Sequence, residues 1–128
     1  GVASGIGRPQ AEKFLLEGAF VCGGDINDNE AVKNLKRRFP QTFCFKLCDV
    51  TELEQVRQFA DAALHFLGGC EILLNTAGIL DAYKPTLETD EKLWDKIMNT
   101  NLKSIFRLTN AVLPSMLKQS HGVIINMA

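Results

Sequence analysis

The sequence predicts an α/β protein built on a doubly wound parallel sheet, and three observations predict it. Apolar runs of strand length alternate with amphipathic helical segments from end to end. The connections between them are short, and small or polar residues cluster just after each apolar run. Strand, helix, strand order with short connections calls for parallel strands joined by right-handed crossovers. At 128 residues, without repeats, linkers or low-complexity stretches, the chain amounts to one domain or a large piece of one.

The chain opens on GVASGIG, a glycine-rich loop. Arg8 to Glu17 reads as a helix, with Pro9 in the first turn, where a missing N–H costs nothing, and an apolar stripe of Ala11, Phe14 and Leu15. Gly18 stops it. Ala19 to Gly24 is a short apolar strand ending at Asp25, and Asn29 to Phe39 is a charged amphipathic helix closed by Pro40. A second strand spans Thr42 to Leu47. Thr51, with Glu54 three residues on, has the form of a capping box opening a helix to about Leu67. Glu71 to Leu74 is a third strand, running into Asn75-Thr76-Ala77-Gly78. Asp90 to about Lys118 is one long helix with a kink expected at Pro114, and Gly122 to Met127 is a fourth strand.

Composition narrows the function. With 46% hydrophobic and 23% charged residues the chain can bury a core, and its net charge of −1 and pI near 6.1 give no reason to expect nucleic acid or an anionic membrane as partner. Glu71 and Asn75 interrupt the most apolar stretch, so no run reaches membrane-spanning length. Cys22, Cys44, Cys48 and Cys70 form no CxxC pair and have no accompanying histidine cluster. They are expected to be small buried apolar residues, to bind no metal, and to fit a reducing cytoplasm.

In doubly wound sheets ligands bind beyond the carboxyl ends of the strands, so the residues just after each strand are the informative ones. Gly1, Gly5 and Gly7 clear side chains from the start of a helix, whose free N–H groups and dipole suit a pyrophosphate. Ser4 adds a hydroxyl and Ile6 lies between the last two glycines. Taken alone, such a loop is equally a tight turn. Asp25 follows Gly7 at close to the spacing of about 20 residues in dinucleotide fingerprints, where a carboxylate accepts both hydroxyls of the adenosine ribose. Its plain alternative is a turn aspartate in GGDIND. A 2′-phosphate would meet like charge at Asp25, and neither Ser4 nor Ile26 supplies a cation, so NAD is favoured over NADP. Asp49 and Val50 can read adenine through a carboxylate and the backbone, although Asp-Val-Thr also suits a helix approach. These three features describe nucleoside-methyltransferase sites as well. In NTAG, Ala77 and Gly78 leave a floor poor in side chains, and Asn75 can tie neighbouring strands together.

At this point the sequence resembles the short-chain dehydrogenase/reductase family. GVASGIG is similar to that family's TGxxxGxG without its threonine, NTAG to its NNAG, and Asp49-Val50 occupies the matching adenine position. Asn99-Thr100-Asn101-Leu102 resembles the segment that carries the family's catalytic asparagine, and GVIINMA its fifth strand. The resemblance implies a Rossmann fold and hydride transfer between NAD(H) and an alcohol or ketone. By it, Gly1, Ser4, Gly5, Ile6 and Gly7 hold the pyrophosphate and nicotinamide side, Asp25 and Ile26 the ribose and one adenine face, and Asp49 and Val50 the adenine edge. Asn75, Ala77 and Gly78 line the adenosine ribose region. Asn101 is implied to be catalytic, holding a water that connects the family's lysine to solvent.

The family's other catalytic groups find no match. Tyr83 is followed four positions on by Leu87, so there is no YxxxK, and the family's serine would come immediately after Ala128. Nor is the family's first strand seen, which in the order 3-2-1-4-5-6-7 lies between the second and the fourth. Two strand pairs without a common neighbour are therefore expected, their facing edges unpaired. These features lead to the expectation that residues 1–128 are the cofactor-binding part of one Rossmann domain in a longer enzyme, inactive alone. A non-catalytic dinucleotide sensor and, within the family, a 3-oxoacyl-carrier-protein reductase are alternatives. The resemblance also implies a homo-oligomer, tetramer or dimer, with Trp94, Ile97, Met98 and Leu102 in the core or at a subunit interface. His65 and His121 have no partners in sequence, and Lys36-Arg37-Arg38 suits a solvated helix end.

Overall fold

The computed structural model describes residues 1–127; Ala128, the last residue of the predicted fourth strand's motif, lies outside them. Its elements in order are α1 (Gly7–Leu16), β1 (Val21–Asp25), α2 (Glu30–Arg38), β2 (Phe43–Leu47), α3 (Leu53–Leu67) and β3 (Ile72–Asn75). A 3₁₀ turn (Thr86–Glu88), α4 (Glu91–Met98), a π-helical segment (Asn99–Lys103), α5 (Ser104–Gln119) and β4 (Val123–Asn126) follow. Every strand carries the expected identity, with ends within two residues of those the sequence predicts.

Local chemistry explains the boundaries. Asn29 caps α2, its side chain accepting from the Val32 N–H at 3.2 Å, and Asp90 caps α4 through the Leu93 N–H at 2.7 Å. The capping box at Thr51 does not form. Glu52 is the cap of α3, without a side-chain bond, because Thr51 turns back to Asp49, whose Oδ1 accepts from its N–H at 2.9 Å and its hydroxyl at 2.7 Å. Glu54 instead accepts from Gln58 at 3.2 Å. Gly68 ends α3 at φ 74°, in the left-handed region glycine enters freely. The long helix is also revised. α5 runs through Pro114, and the departure from α-helical bonding lies at Asn99–Lys103. There the Ser104 hydroxyl donates to the Thr100 carbonyl at 2.6 Å.

The strands form two separate parallel pairs, β1 with β2 and β3 with β4. The register sets Val21 beside Phe43 and Asp25 beside Leu47 in one, Ile72 beside Val123 and Asn75 beside Asn126 in the other. As the strand order predicts, β1 and β3 have no hydrogen-bonded neighbour strand on their facing sides among the described residues. A cavity of about 640 Å³ lies between them, lined by Val21, Cys22, Gly23, Leu73, Leu74 and Asn75 among others. Two apolar clusters hold the layers. Ala3, Leu15, Val32, Leu35 and Phe43 pack α1 and α2 onto β1–β2. Val56, Ala60, Leu73, Leu108, Val112 and Met116 join α3 and α5 to β3. The cysteines are free; Cys48 and Cys70 are buried as expected, whereas Cys22 and Cys44 are only half-buried, paired in register across β1 and β2.

Candidate functional site

The carboxyl ends of β1, β2 and β3 and the glycine loop meet at one end of the molecule. The Gly1 nitrogen donates to the Gly24 carbonyl at 2.6 Å. A Cβ on Gly1 would sit 3.2 Å from the Ala77 backbone, and one on Gly7 would sit 1.9 Å from the Gly1 carbonyl oxygen and 2.9 Å from Thr76 Oγ1. The loop therefore closes on itself only because Gly7 lacks a side chain, and a side chain at Gly1 would crowd NTAG. Gly5 differs: at φ 52° it faces open space, and Ser4, Gly5 and Ile6 are exposed. No side chain caps α1, and among the described residues the N–H groups of Ser4, Gly5, Ile6 and Gly7 donate to nothing. Free amides converging at a helix start suit an anion.

Asp25 ends β1 against this loop. Its Oδ2 accepts from the Ala3 N–H at 2.9 Å and its Oδ1 from the Asn27 N–H at 3.0 Å, and its side chain is 9% exposed. A carboxylate offers about four acceptor positions, so each oxygen keeps one for a hydroxyl. Ile26 beside it is 65% exposed. At the end of β2, burial pushes the Cys48 thiol up from its ordinary range. The next residue, Asp49, has its N–H held by Gln55 Oε1 at 2.9 Å, and among the described residues the Val50 N–H has no acceptor.

Beyond β3, Asn75 is buried and its Nδ2 donates to Asn126 Oδ1 at 2.8 Å. Its side chain thus ties β3 to β4 rather than facing the loop. Gly78 passes over Asn101: a Cβ there would lie 3.5 Å from Asn101 Oδ1. From the π-helical segment, Asn101 grips the main chain of Ile79 at both ends, accepting from its N–H at 2.8 Å and donating to its carbonyl at 2.9 Å. A π turn presents a side chain at an angle that a regular helix does not offer, and such turns occur often at functional sites. The Arg107 guanidinium donates to the carbonyls of Val50 and Thr51. Neither this arginine nor Ile79 stands out in the sequence, because the bonding partners are main-chain groups. Tyr83 is exposed on the loop that follows Ile79.

The chain matches the short chain dehydrogenase family model along residues 1–128. It belongs to the short-chain dehydrogenase family. A 3-oxoacyl-[acyl-carrier-protein] reductase of Thermotoga maritima is 33% identical over 131 residues, taking in all of this chain and 52% of that protein. Dehydrogenase/reductase SDR family member 6 of Rattus norvegicus is 39% identical over 128 residues, 98% of this chain and 48% of the relative. The crystal structure of a short-chain dehydrogenase from Streptomyces avermitilis superposes with a TM-score of 0.92 at 29% identity, covering 98% of this chain and 46% of that one. The chain spans about half the length of the curated relatives it matches. Membership in the short-chain dehydrogenase family accords with the parallel α/β architecture and with the strand order β2-β1 and β3-β4.

Proposed function

We propose that this chain supplies the NAD(H)-binding part of an oxidoreductase acting on an alcohol or ketone. The observation that carries the reading is the Asp25 carboxylate set against the glycine loop, 2.9 Å from the Ala3 N–H. A carboxylate so placed accepts ribose hydroxyls and repels a 2′-phosphate, which favours NAD over NADP. The residues fit such a group: four amides unengaged among the described residues and an open Gly5 for the pyrophosphate, an exposed Ile26 for an adenine face, and Asp49 with the Val50 N–H for its edge. Ala77 and Gly78 provide the floor, and Asn75 stiffens the sheet beneath it.

A bound nicotinamide dinucleotide supplies the hydride carrier; the residues here bind and orient it. Asn101 fixes the loop leaving β3 through Ile79, in addition to the catalytic role that family membership suggests. The named relatives include a 3-oxoacyl-[acyl-carrier-protein] reductase and a 3beta-hydroxysteroid dehydrogenase, so the substrate is proposed only as an alcohol or ketone. A second copy of the protein is proposed as partner, supported by the exposed Trp94, Leu102 and Phe106 along the outer face of the long helix. A cytoplasmic setting is proposed as well; among the described residues no helix is long and apolar enough to cross a membrane.

Calorimetric titration with NADH, NADPH and S-adenosylmethionine tests the reading. NADH is expected to bind at least about tenfold more tightly than NADPH, a difference of about 1.4 kcal/mol, with no heat from S-adenosylmethionine. Tighter NADPH binding would refute the assignment of Asp25, and binding of S-adenosylmethionine alone would point to a methyltransferase.

A further inference from the structure

The turn Asp49-Val50-Thr51 carries the proposed adenine contacts, yet its own bonds fix its shape and not its place. Asp49 Oδ1 accepts from the Thr51 N–H and hydroxyl, and Gln55 holds the Asp49 N–H, so the turn and the start of α3 are folded onto each other. Val50 packs against the core cluster of α3 and α5, and a further hold on the turn comes from across the molecule. Arg107, on α5, donates through Nη1 to the Val50 carbonyl at 3.4 Å and to the Thr51 carbonyl. The Val50–Thr51 peptide unit is therefore gripped on both sides, its C=O by Arg107 and its N–H by the Asp49 carboxylate. If the first grip is removed, the peptide plane can rotate and carry the Asp49 carboxylate with it.

Arg107 is half-buried, and among the described residues its guanidinium faces no carboxylate at ion-pair distance. Both contacts run from the one nitrogen, Nη1, so a single cationic donor is shared between two successive carbonyls. Arg107 also follows Asn101 on the same continuous helical rod. Within two turns of that rod, Asn101 holds the loop after β3 through Ile79 and Arg107 holds the turn after β2.

We infer that Arg107 is a positioning residue of the adenine subsite, fixing the Val50–Thr51 peptide so that Asp49 and the Val50 N–H present a set edge to the base. The inference rests on the dinucleotide reading above and deepens it. Arg107→Met in the full chain keeps a long apolar stem and removes every donor. Dissociation constants are measured for NADH, AMP, nicotinamide mononucleotide and nicotinamide hypoxanthine dinucleotide, whose base lacks the amino group. The variant is expected to bind NADH and AMP about tenfold more weakly, the scale of a lost charged hydrogen bond, and nicotinamide mononucleotide unchanged. The preference for adenine over hypoxanthine is expected to fall toward unity. Unchanged AMP binding, or an equal loss for all four ligands with a lowered thermal midpoint, would overturn the inference. Should Arg107→Met fail to fold, Arg107→Gln removes the charge and is too short to reach the two carbonyls; it is expected to show the same selective loss, and full adenine selectivity in it would overturn the inference. If the unsubstituted protein binds neither NADH nor AMP, the dinucleotide reading itself fails, and this inference with it.

Discussion

The two strand pairs solve the same packing problem differently. β1–β2 is covered on both faces, by α1 and α2 through Val32, Leu35 and Phe43, and by α3 through Phe59 beside Gly24. Among the described residues, β3–β4 is backed on one face only. Leu73 and Ile124 turn toward α5, while Ile72, Val123 and Ile125 on the opposite face remain 45%, 53% and 42% exposed. The difference reaches the site. On the covered pair, the proposed ligand groups are main-chain amides and one carboxylate, placed by a glycine loop packed against the core. On the thinly covered pair, position is secured by side-chain amides instead, Asn75 on Asn126 and Asn101 on Ile79. On the covered pair, side-chain bonds such as Asp25 to Ala3 and Arg107 to Val50 add to extensive burial; on the thinly covered pair, side-chain amides carry more of the placement.

Substitution can break that comparison, most severely at Gly7. A methyl there would lie 1.9 Å from the Gly1 carbonyl oxygen, a backbone atom that can yield only if the loop moves. Gly7→Ala is expected to weaken NADH binding by about two orders of magnitude, or about 2.8 kcal/mol, in calorimetry. Retained affinity would show that the loop is not the binding element. Stability should divide next. Leu35 is 2% exposed, and Leu35→Ala is expected to lower the unfolding free energy by about 3 kcal/mol in urea. Ile125→Ala, on the uncovered face, should lower it by less than about 1 kcal/mol. Equal losses would mean that the two pairs are packed alike. The smallest effect concerns Cys22 at the edge of β1, whose thiol burial and the neighbouring Cys44 push up to about 12. A raised pKa keeps the thiol protonated at pH 8. Iodoacetamide should therefore alkylate Cys22 more slowly than an unperturbed thiol. A rate near that of free cysteine would show β1 opening readily at its unpaired edge.

Much of this was legible in the residues themselves. Alternating apolar runs and helical stripes place all four strands and the helices, with α4 and α5 read as one, and the strand order of the family the sequence resembles implied a split sheet. The glycine loop and the residues after each strand were legible for the same reason, since doubly wound topology gathers them at one end. Three features were not legible. Thr51 carries the signature of a helix cap, but Asp49 two residues earlier competes for its N–H and hydroxyl and wins. Pro114 marks itself in any helix, whereas the π turn at Asn99–Lys103 reflects contacts between Asn101 and a loop far back in the chain. Arg107 acts on carbonyl groups of Val50 and Thr51, and carbonyls are present at every residue, so no spacing could single them out.

The central claim is that Asp25 selects the cofactor, and the most direct measurement is the ratio of the NADPH and NADH dissociation constants before and after Asp25→Ser. Loss of the bond to Ala3 would weaken both ligands together, which leaves the ratio as the informative quantity. A ratio of at least about ten in the unsubstituted protein, falling to near one in Asp25→Ser, is the predicted result. A ratio that does not change on substitution would contradict it.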